Sequence, residues 1–318
     1  MAGAAVSGPA GNTVCTRACT RACTQADTRV CTRACTRACT KVRSAQRGVT
    51  LVELVVVLTV MAVMASIGAT LVGRIVSGQQ DNRARLVLAL QSDVALAQLS
   101  DALSAALPNS LRLSSNVDGV WVEWVPILEA GRYRQAPDTV GPDAGDPLDL
   151  DNAADNSFDV IGRAMPASVV GRELVFGNLG QPEADAYVGN NRRAGIALSN
   201  AGSRIAFTAA GALPAQGGQG RFFVVGTPVT VACVAQAGGG FELVRYSGYG
   251  WLSAQPSSLA ALAAATPVRQ LVGLRGCSAS YSTALANIGM LSLRLQAGSV
   301  GGSTQMDLMH PVAVDNTP

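Results

Sequence analysis

From Leu54 to Val72 the chain runs without a charged residue and with few polar ones, while Lys41, Arg43 and Arg47 stand just before it. Nineteen residues rise about 28 Å as a helix, close to the apolar thickness of a bilayer. The run therefore predicts a membrane-spanning helix, and basic residues on its N-terminal side place that end in the cytoplasm. Beyond Arg74 the texture changes to an amphipathic one. Val87, Leu90, Val94 and Ala97 recur at helical spacing among Arg83, Arg85, Asp93 and Asp101, which predicts one apolar stripe facing a folded domain. No Gly or Pro interrupts 79–107, and Pro108 ends the pattern.

After Pro108 the period shortens to two. Gly119 to Ile127, Glu173 to Phe176, Arg204 to Phe207, Arg221 to Val225, Thr230 to Ala235, Phe241 to Tyr246 and Met290 to Leu295 read as strands between Gly, Pro, Asn and Asp. Gly238, Gly239 and Gly240 mark a hairpin turn. The expected class is α+β: a long N-terminal helix on a mainly antiparallel β head, with an edge strand left open.

Charge separates the first 48 residues from the rest. They hold eight of the 24 basic residues and one of the 21 acidic ones, so the net +3 divides into +7 before residue 49 and −4 after it. The basic balance belongs to this leader and gives no case for nucleic-acid binding. Six of the eight cysteines, Cys15, Cys19, Cys23, Cys31, Cys35 and Cys39, lie in a repeated Cys-Thr-Arg-Ala unit. Their spacing would gather them near one face of a helix, a candidate metal or redox arrangement, but it lacks the close pairs of zinc modules. Expanded low-complexity coding sequence is the simpler account, and a start at Val42 would give a seven-residue leader and leave the tract untranslated.

Arg47-Gly48-Val49-Thr50-Leu51-Val52-Glu53, set directly against the apolar run, resembles the processing site of type IV prepilins and type II secretion pseudopilins. The resemblance implies cleavage between Gly48 and Val49 by a prepilin peptidase and methylation of the new Val49 amine by the same enzyme. Many relatives have Phe where this chain has Val49. Glu53 would become the fifth mature residue, and a carboxylate at the margin of lipid needs neutralisation or a partner. Pairing it with the Val49 amine of a neighbouring subunit offsets part of that cost and sets axial register. The resemblance divides the chain into a leader at 1–48, a helix at 49–107 with its membrane part at 49–72, and a head at 108–318.

Three head stretches resemble the MSHA branch of type IV pilus biogenesis proteins. They are Ala106 to Arg112 with Val122 to Ile127 and Gly131 to Tyr133; Phe223 to Val229 with Cys233 and Leu243 to Tyr249; and Cys277 to Tyr281 with Leu291 and Leu293. The expectation is a minor, J-like pilin or pseudopilin promoting assembly at the base or tip of a pilus. A secretion pseudopilin and a tip adhesin that binds a surface glycan are the alternatives. Implied partners are the peptidase and methyltransferase, other minor pilins, the major pilin and an inner-membrane assembly platform. The implied location is the bacterial inner membrane, single-pass with a periplasmic head.

In an exported head Cys233 and Cys277, the two cysteines outside the leader, predict one disulfide. The acidic stretch from Asp138 to Asp159 reads as a surface loop, with Asp149 and Asp151 as its calcium candidates. It lacks the EF-hand spacing. Tyr246, Tyr249 and Trp251 beside Gly248 and Gly250 read as a turn packed into the core rather than a ligand surface. His310 is the single histidine, and no nucleophile-base pair or His-rich metal set is visible, so no catalytic residue and no cofactor is expected.

Overall fold

The computed structural model describes residues 13–22, 32–41, 50–138, 145–214, 220–285, 288–298 and 305–317. The chain divides into two compact units, Met1–Ile75 and Val76–Pro318.

In the first unit β1 (Thr13–Ala22) and β2 (Thr32–Lys41) pair antiparallel, with Cys15 opposite Cys39 and Cys19 opposite Cys35. The repeat is thus extended, where its four-residue spacing was also compatible with a helix. Threonine at every fourth position favours the strand. Helix α1 (Leu51–Ser104) begins in this unit. Its residues up to Ile75 are exposed except for half-buried Gly68. Among the described residues α1 is the one helix long and apolar enough to cross a membrane.

Among the described residues the second unit holds the rest of α1 and fourteen strands in two antiparallel sheets. The first sheet runs β8 (Arg192–Arg193), β7 (Glu173–Val175), β11 (Arg221–Val225), β5 (Ile127–Tyr133), β6 (Ser157–Ile161), β10 (Arg204–Ala206) and β9 (Ala197–Ser199). The second runs β16 (Met306–Asp315), β15 (Ile288–Ala297), β14 (Thr266–Leu285), β13 (Phe241–Ser247), β12 (Val229–Ala235), β4 (Gly119–Trp124) and β3 (Arg112–Asn116). The two sheets share a bent pair of chain segments. β4 pairs with β12 in one sheet, and its continuation β5 pairs with β11 in the other. Pro126 and Pro228 sit at the bend, where the Gly226 N–H donates to the Pro126 carbonyl at 3.0 Å. A proline lacks the N–H a ladder needs, so the change of sheet falls there.

The α+β architecture, a long N-terminal helix packed on a mainly antiparallel head, is as expected. The helix stops earlier than Leu107. The Leu107 N–H bonds Val125 O at 2.8 Å and the Ile127 N–H bonds Ala105 O at 2.9 Å, so strand pairing takes over the groups of a final helical turn. Seven expected strands are present, while β3, β5, β6, β8, β9, β14 and β16 lacked a clear signal. In β5 the signal is broken by Gly131, where an added Cβ would lie 2.6 Å from the Phe222 ring. The sequence shows the glycine, but only the structure shows the ring that demands it.

Among the described residues four apolar clusters build the head, and the two with the most members anchor it. Ala95, Leu96, Leu99 and Leu103 of α1 pack on Trp124, Val231, Leu243 and Leu293 of the second sheet. Burying each such leucine contributes about 1.5–3 kcal/mol against the entropy of ordering. Tyr133, Phe158, Phe176, Phe207 and Phe222 form the other centre, with edge-on rings such as Phe158 and Phe176 at 5.9 Å.

Candidate functional site

The expected processing residues Gly48 and Val49 lie outside the described residues. Just beyond them the helix entrance is clear. The Leu54 N–H donates to Thr50 O at 3.1 Å, and the Glu53 N–H donates to Thr50 Oγ1 at 3.3 Å. Thr50 is therefore an N-cap with Glu53 three residues on, the residue types of a capping box. A carboxylate in the first turn also faces the positive end of the helix dipole. Sequence reasoning missed this second role, though Thr-Leu-Val-Glu before an apolar run was its signal.

Beyond the cap the side chains project outward with no protein cover. Leu54, Leu58, Met61 and Leu71 are each more than half exposed. In water such a surface is strongly unfavourable, so it requires lipid or other chains around it. Its hydroxyls are satisfied internally: Thr59, Ser66 and Thr70 donate to Val56 O, Val63 O and Ile67 O, each at 2.8 Å.

In the head, Cys233 on β12 and Cys277 on β14 form a disulfide with their Cα atoms 6.4 Å apart. The bridge links strands that are separated by β13 in the sheet order. It thereby ties the middle of the second sheet across a 44-residue separation.

A buried polar network beside this sheet had no counterpart in the sequence reading. Glu123 on β4 is fully buried, opposite Thr230 of β12 and on the other face from Val122 and Trp124. Arg112 Nε donates to its Oε2 at 2.9 Å, and Tyr249 Oη donates to its Oε1 at 2.8 Å. With its proton committed to Glu123, the Tyr249 oxygen accepts from Thr230 Oγ1 at 2.8 Å. The Arg112 guanidinium also lies 3.4 Å from the Tyr187 ring centre, Tyr187 meets Trp251 edge-on, and Arg192 stacks on Trp251 at 3.9 Å. Burial raises the Glu123 carboxyl above its ordinary value despite Arg112. Burial likewise raises the Tyr249 and Tyr187 hydroxyls. A lone Glu inside Trp121-Val122-Glu123-Trp124 was the available signal. Tyr246, Tyr249 and Trp251 thus pack into the head, as their glycine-flanked turn suggested.

The expected acidic loop ends earlier than Asp159, because Ser157 to Asp159 belong to β6, paired with β10, and its carboxylates serve the local fold. Asp155 Oδ2 accepts from the Asp149 N–H at 2.7 Å, and Asp149 Oδ1 accepts from the Asp151 N–H at 3.1 Å. Arg204 Nε donates to Asp159 Oδ1 at 2.7 Å and lies 3.4 Å from Asp146. That hydrogen bond holds the Asp159 carboxyl below its ordinary value. Asp143 lies outside the described residues. Among the described residues no group of three or more His, Cys, Asp and Glu is placed to hold a metal ion. His310 is half-buried on β16, opposite Leu293.

Residues 43–69 match the family model described as the prokaryotic N-terminal methylation motif. No curated protein and no solved structure matches the chain. The chain is therefore similar to that family over residues 43–69, and its fold, one long N-terminal apolar helix packed on a mainly antiparallel β head, is pilin-like. One long apolar helix followed by a β-rich head is consistent with a single-pass membrane protein whose head lies outside the cytoplasm.

Proposed function

We propose that the chain is a minor subunit of an MSHA-like type IV pilus, promoting its assembly at the base or tip after removal of residues 1–48. The observation that carries this reading is the position of the methylation motif: its match at 43–69 includes Gly48, Val49 and Glu53 and runs into the exposed apolar helix. The head stretches that resemble the MSHA pilus biogenesis protein MshO support the particular branch.

In this reading a prepilin peptidase cuts between Gly48 and Val49 and methylates Val49. The mature chain is a helix from 49 to about 107 and a head from 108 to 318. It waits in the inner membrane and is drawn into contact with other minor pilins, the major pilin and the assembly platform. Glu53 meets the Val49 amine of a neighbour, where mutual neutralisation offsets the desolvation of both. The Cys233–Cys277 bridge keeps the head intact outside the cell.

The test is intact-mass analysis of protein from membrane and sheared-pilus fractions. The expected species starts at methylated Val49 and occurs in both fractions, and replacing Gly48 leaves a longer membrane form. Glu53→Leu lowers incorporation into sheared pili while the head disulfide still forms. Native protein that retains residues before Val49 and occurs with no other pilin-like subunit would overturn the reading.

A further inference from the structure

Beside the end of β5 the head holds an open pocket of about 340 Å³ that the assembly reading does not use. Backbone pairing builds its frame. The Leu148 N–H donates to Arg134 O at 2.9 Å, so residues 147–151 run alongside the continuation of β5, and the Leu213 N–H fixes Leu150 by donating to its carbonyl at 2.9 Å. Tyr133 and Gln135 from the first segment and Asp149 and Asp151 from the second line the pocket. Pro147, Leu148 and Leu150 complete it with apolar surface.

One of these groups is unsatisfied. Tyr133 is 2% exposed and its Oη is buried without a hydrogen-bond partner, because Gln135 approaches it without completing a bond. The Phe158 and Phe176 rings packed against Tyr133 carry no acceptor, so a partner for this hydroxyl enters from the pocket. A buried hydroxyl left unpaired is unfavourable, and a guest that bonds it removes that cost.

The carboxylates set the sign of the guest. Asp149 Oδ1 accepts from the Asp151 N–H at 3.1 Å, and the Asp149 N–H donates to Asp155 Oδ2 at 2.7 Å, which holds Asp149 and Asp151 in one turn. Among the described residues the Asp151 carboxylate has no partner of its own. Both aspartates are exposed, so a side chain can enter from outside while its backbone stays at the surface. The lining holds no third Asp, Glu, His or Cys with which to grip a metal ion. The matching guest is a cation with several donors, no acceptor and an apolar stem. Arginine has all three, with five N–H groups in one plane behind a methylene chain. An ammonium is a compact point charge and reaches fewer of these oxygens at once.

We propose that this pocket binds the guanidinium of an arginine side chain presented by another protein. The guanidinium donates to the Asp149 and Asp151 carboxylates and to Tyr133 Oη, whose own proton turns to Gln135 Oε1. Pro147, Leu148 and Leu150 cover the methylene stem.

The test uses the full-length chain in nanodiscs and ligand-observed saturation-transfer NMR, with acetyl-Gly-Arg-Gly-amide, agmatine and n-pentylamine as probes. The tripeptide is expected to bind in roughly the millimolar range, since exposed carboxylates make weak pairs, and at least as tightly as agmatine. Binding of n-pentylamine should be about fivefold weaker. Asp151→Asn should weaken the tripeptide about tenfold and Tyr133→Phe about threefold, whereas Asp118→Asn, in the turn between β3 and β4, should change nothing. Thermal melting reports folding of each variant, and Asp151→Asn should melt as the parent does. Absence of tripeptide binding, equal binding of n-pentylamine, or unchanged binding in Asp151→Asn overturns the site. Binding of agmatine without the tripeptide overturns the protein partner.

Discussion

Leu58 and Leu99 belong to the same helix and are the same residue, yet one is 57% exposed and the other 5%. The difference lies in what each stretch brings with it. Around Leu99 the chain supplies its own apolar partner, the second sheet with Trp124, Val231 and Leu243. Around Leu58 it supplies nothing, and every large apolar side chain from Leu51 to Leu71 is left outward. Helical hydrogen bonding is satisfied in both stretches, so backbone chemistry does not distinguish them. The solvent does: one stretch is completed by its own fold, the other by lipid or by neighbouring chains.

That contrast breaks most severely at the disulfide. Replacing Cys233 and Cys277 together by Ser should cost the head about 4 kcal/mol in the chain-entropy picture. Denaturant unfolding of the detergent-solubilised chain would show it, whereas helicity of the 51–75 stretch should hold. Next in size, Leu103→Ala should destabilise the head by about 2–5 kcal/mol, since it opens a cavity at a fully buried site. The matched Leu58→Ala should leave head unfolding unchanged and act only on membrane retention. Equal effects of the two substitutions on head unfolding would erase the distinction.

Smaller effects sharpen the picture inside the head. Because burial raises the Glu123 carboxyl, its contribution is fully present below the ordinary glutamate value and is lost as pH rises through the raised one. Glu123→Gln should remove that loss, so the pH dependence of melting above the ordinary glutamate value flattens. Asp159 has the opposite sign. Its carboxyl is held low by Arg204, so its stabilisation is present above the ordinary aspartate value and fades as pH falls through the lowered one. Asp159→Asn should weaken the acid-side loss of stability slightly, because this pair is partly exposed.

The apolar run and the hairpin at Gly238 to Gly240 were legible because each is written within a short window, and the cysteine pair because no other cysteines lie outside the first 48 residues. Their outcome follows from local chemistry: a lipid-length run, a turn that needs positive φ at Gly239 and Gly240, and two thiols in an exported domain. The 20-residue strand β14 was not legible. Its Gly273, Gly276, Ser278 and Ser280 dilute the alternation, and register shifts at Leu271 and Leu274 interrupt the pattern of inward residues. The Glu123 network was hidden for another reason. Arg112, Tyr187, Thr230 and Tyr249 come from distant parts of the chain, and pairing them requires the bent strands that bring both sheets together.

Leu58 and Leu86 give the most direct test, since they are 57% and 59% exposed and differ only in what should surround them. A nitroxide at each, in the chain reconstituted as single copies in nanodiscs, reports collision with oxygen, which enriches in lipid, and with a water-soluble nickel chelate. Oxygen-dominated collisions at Leu58 and nickel-dominated collisions at Leu86 are predicted. Nickel-dominated collisions at both positions would contradict the account.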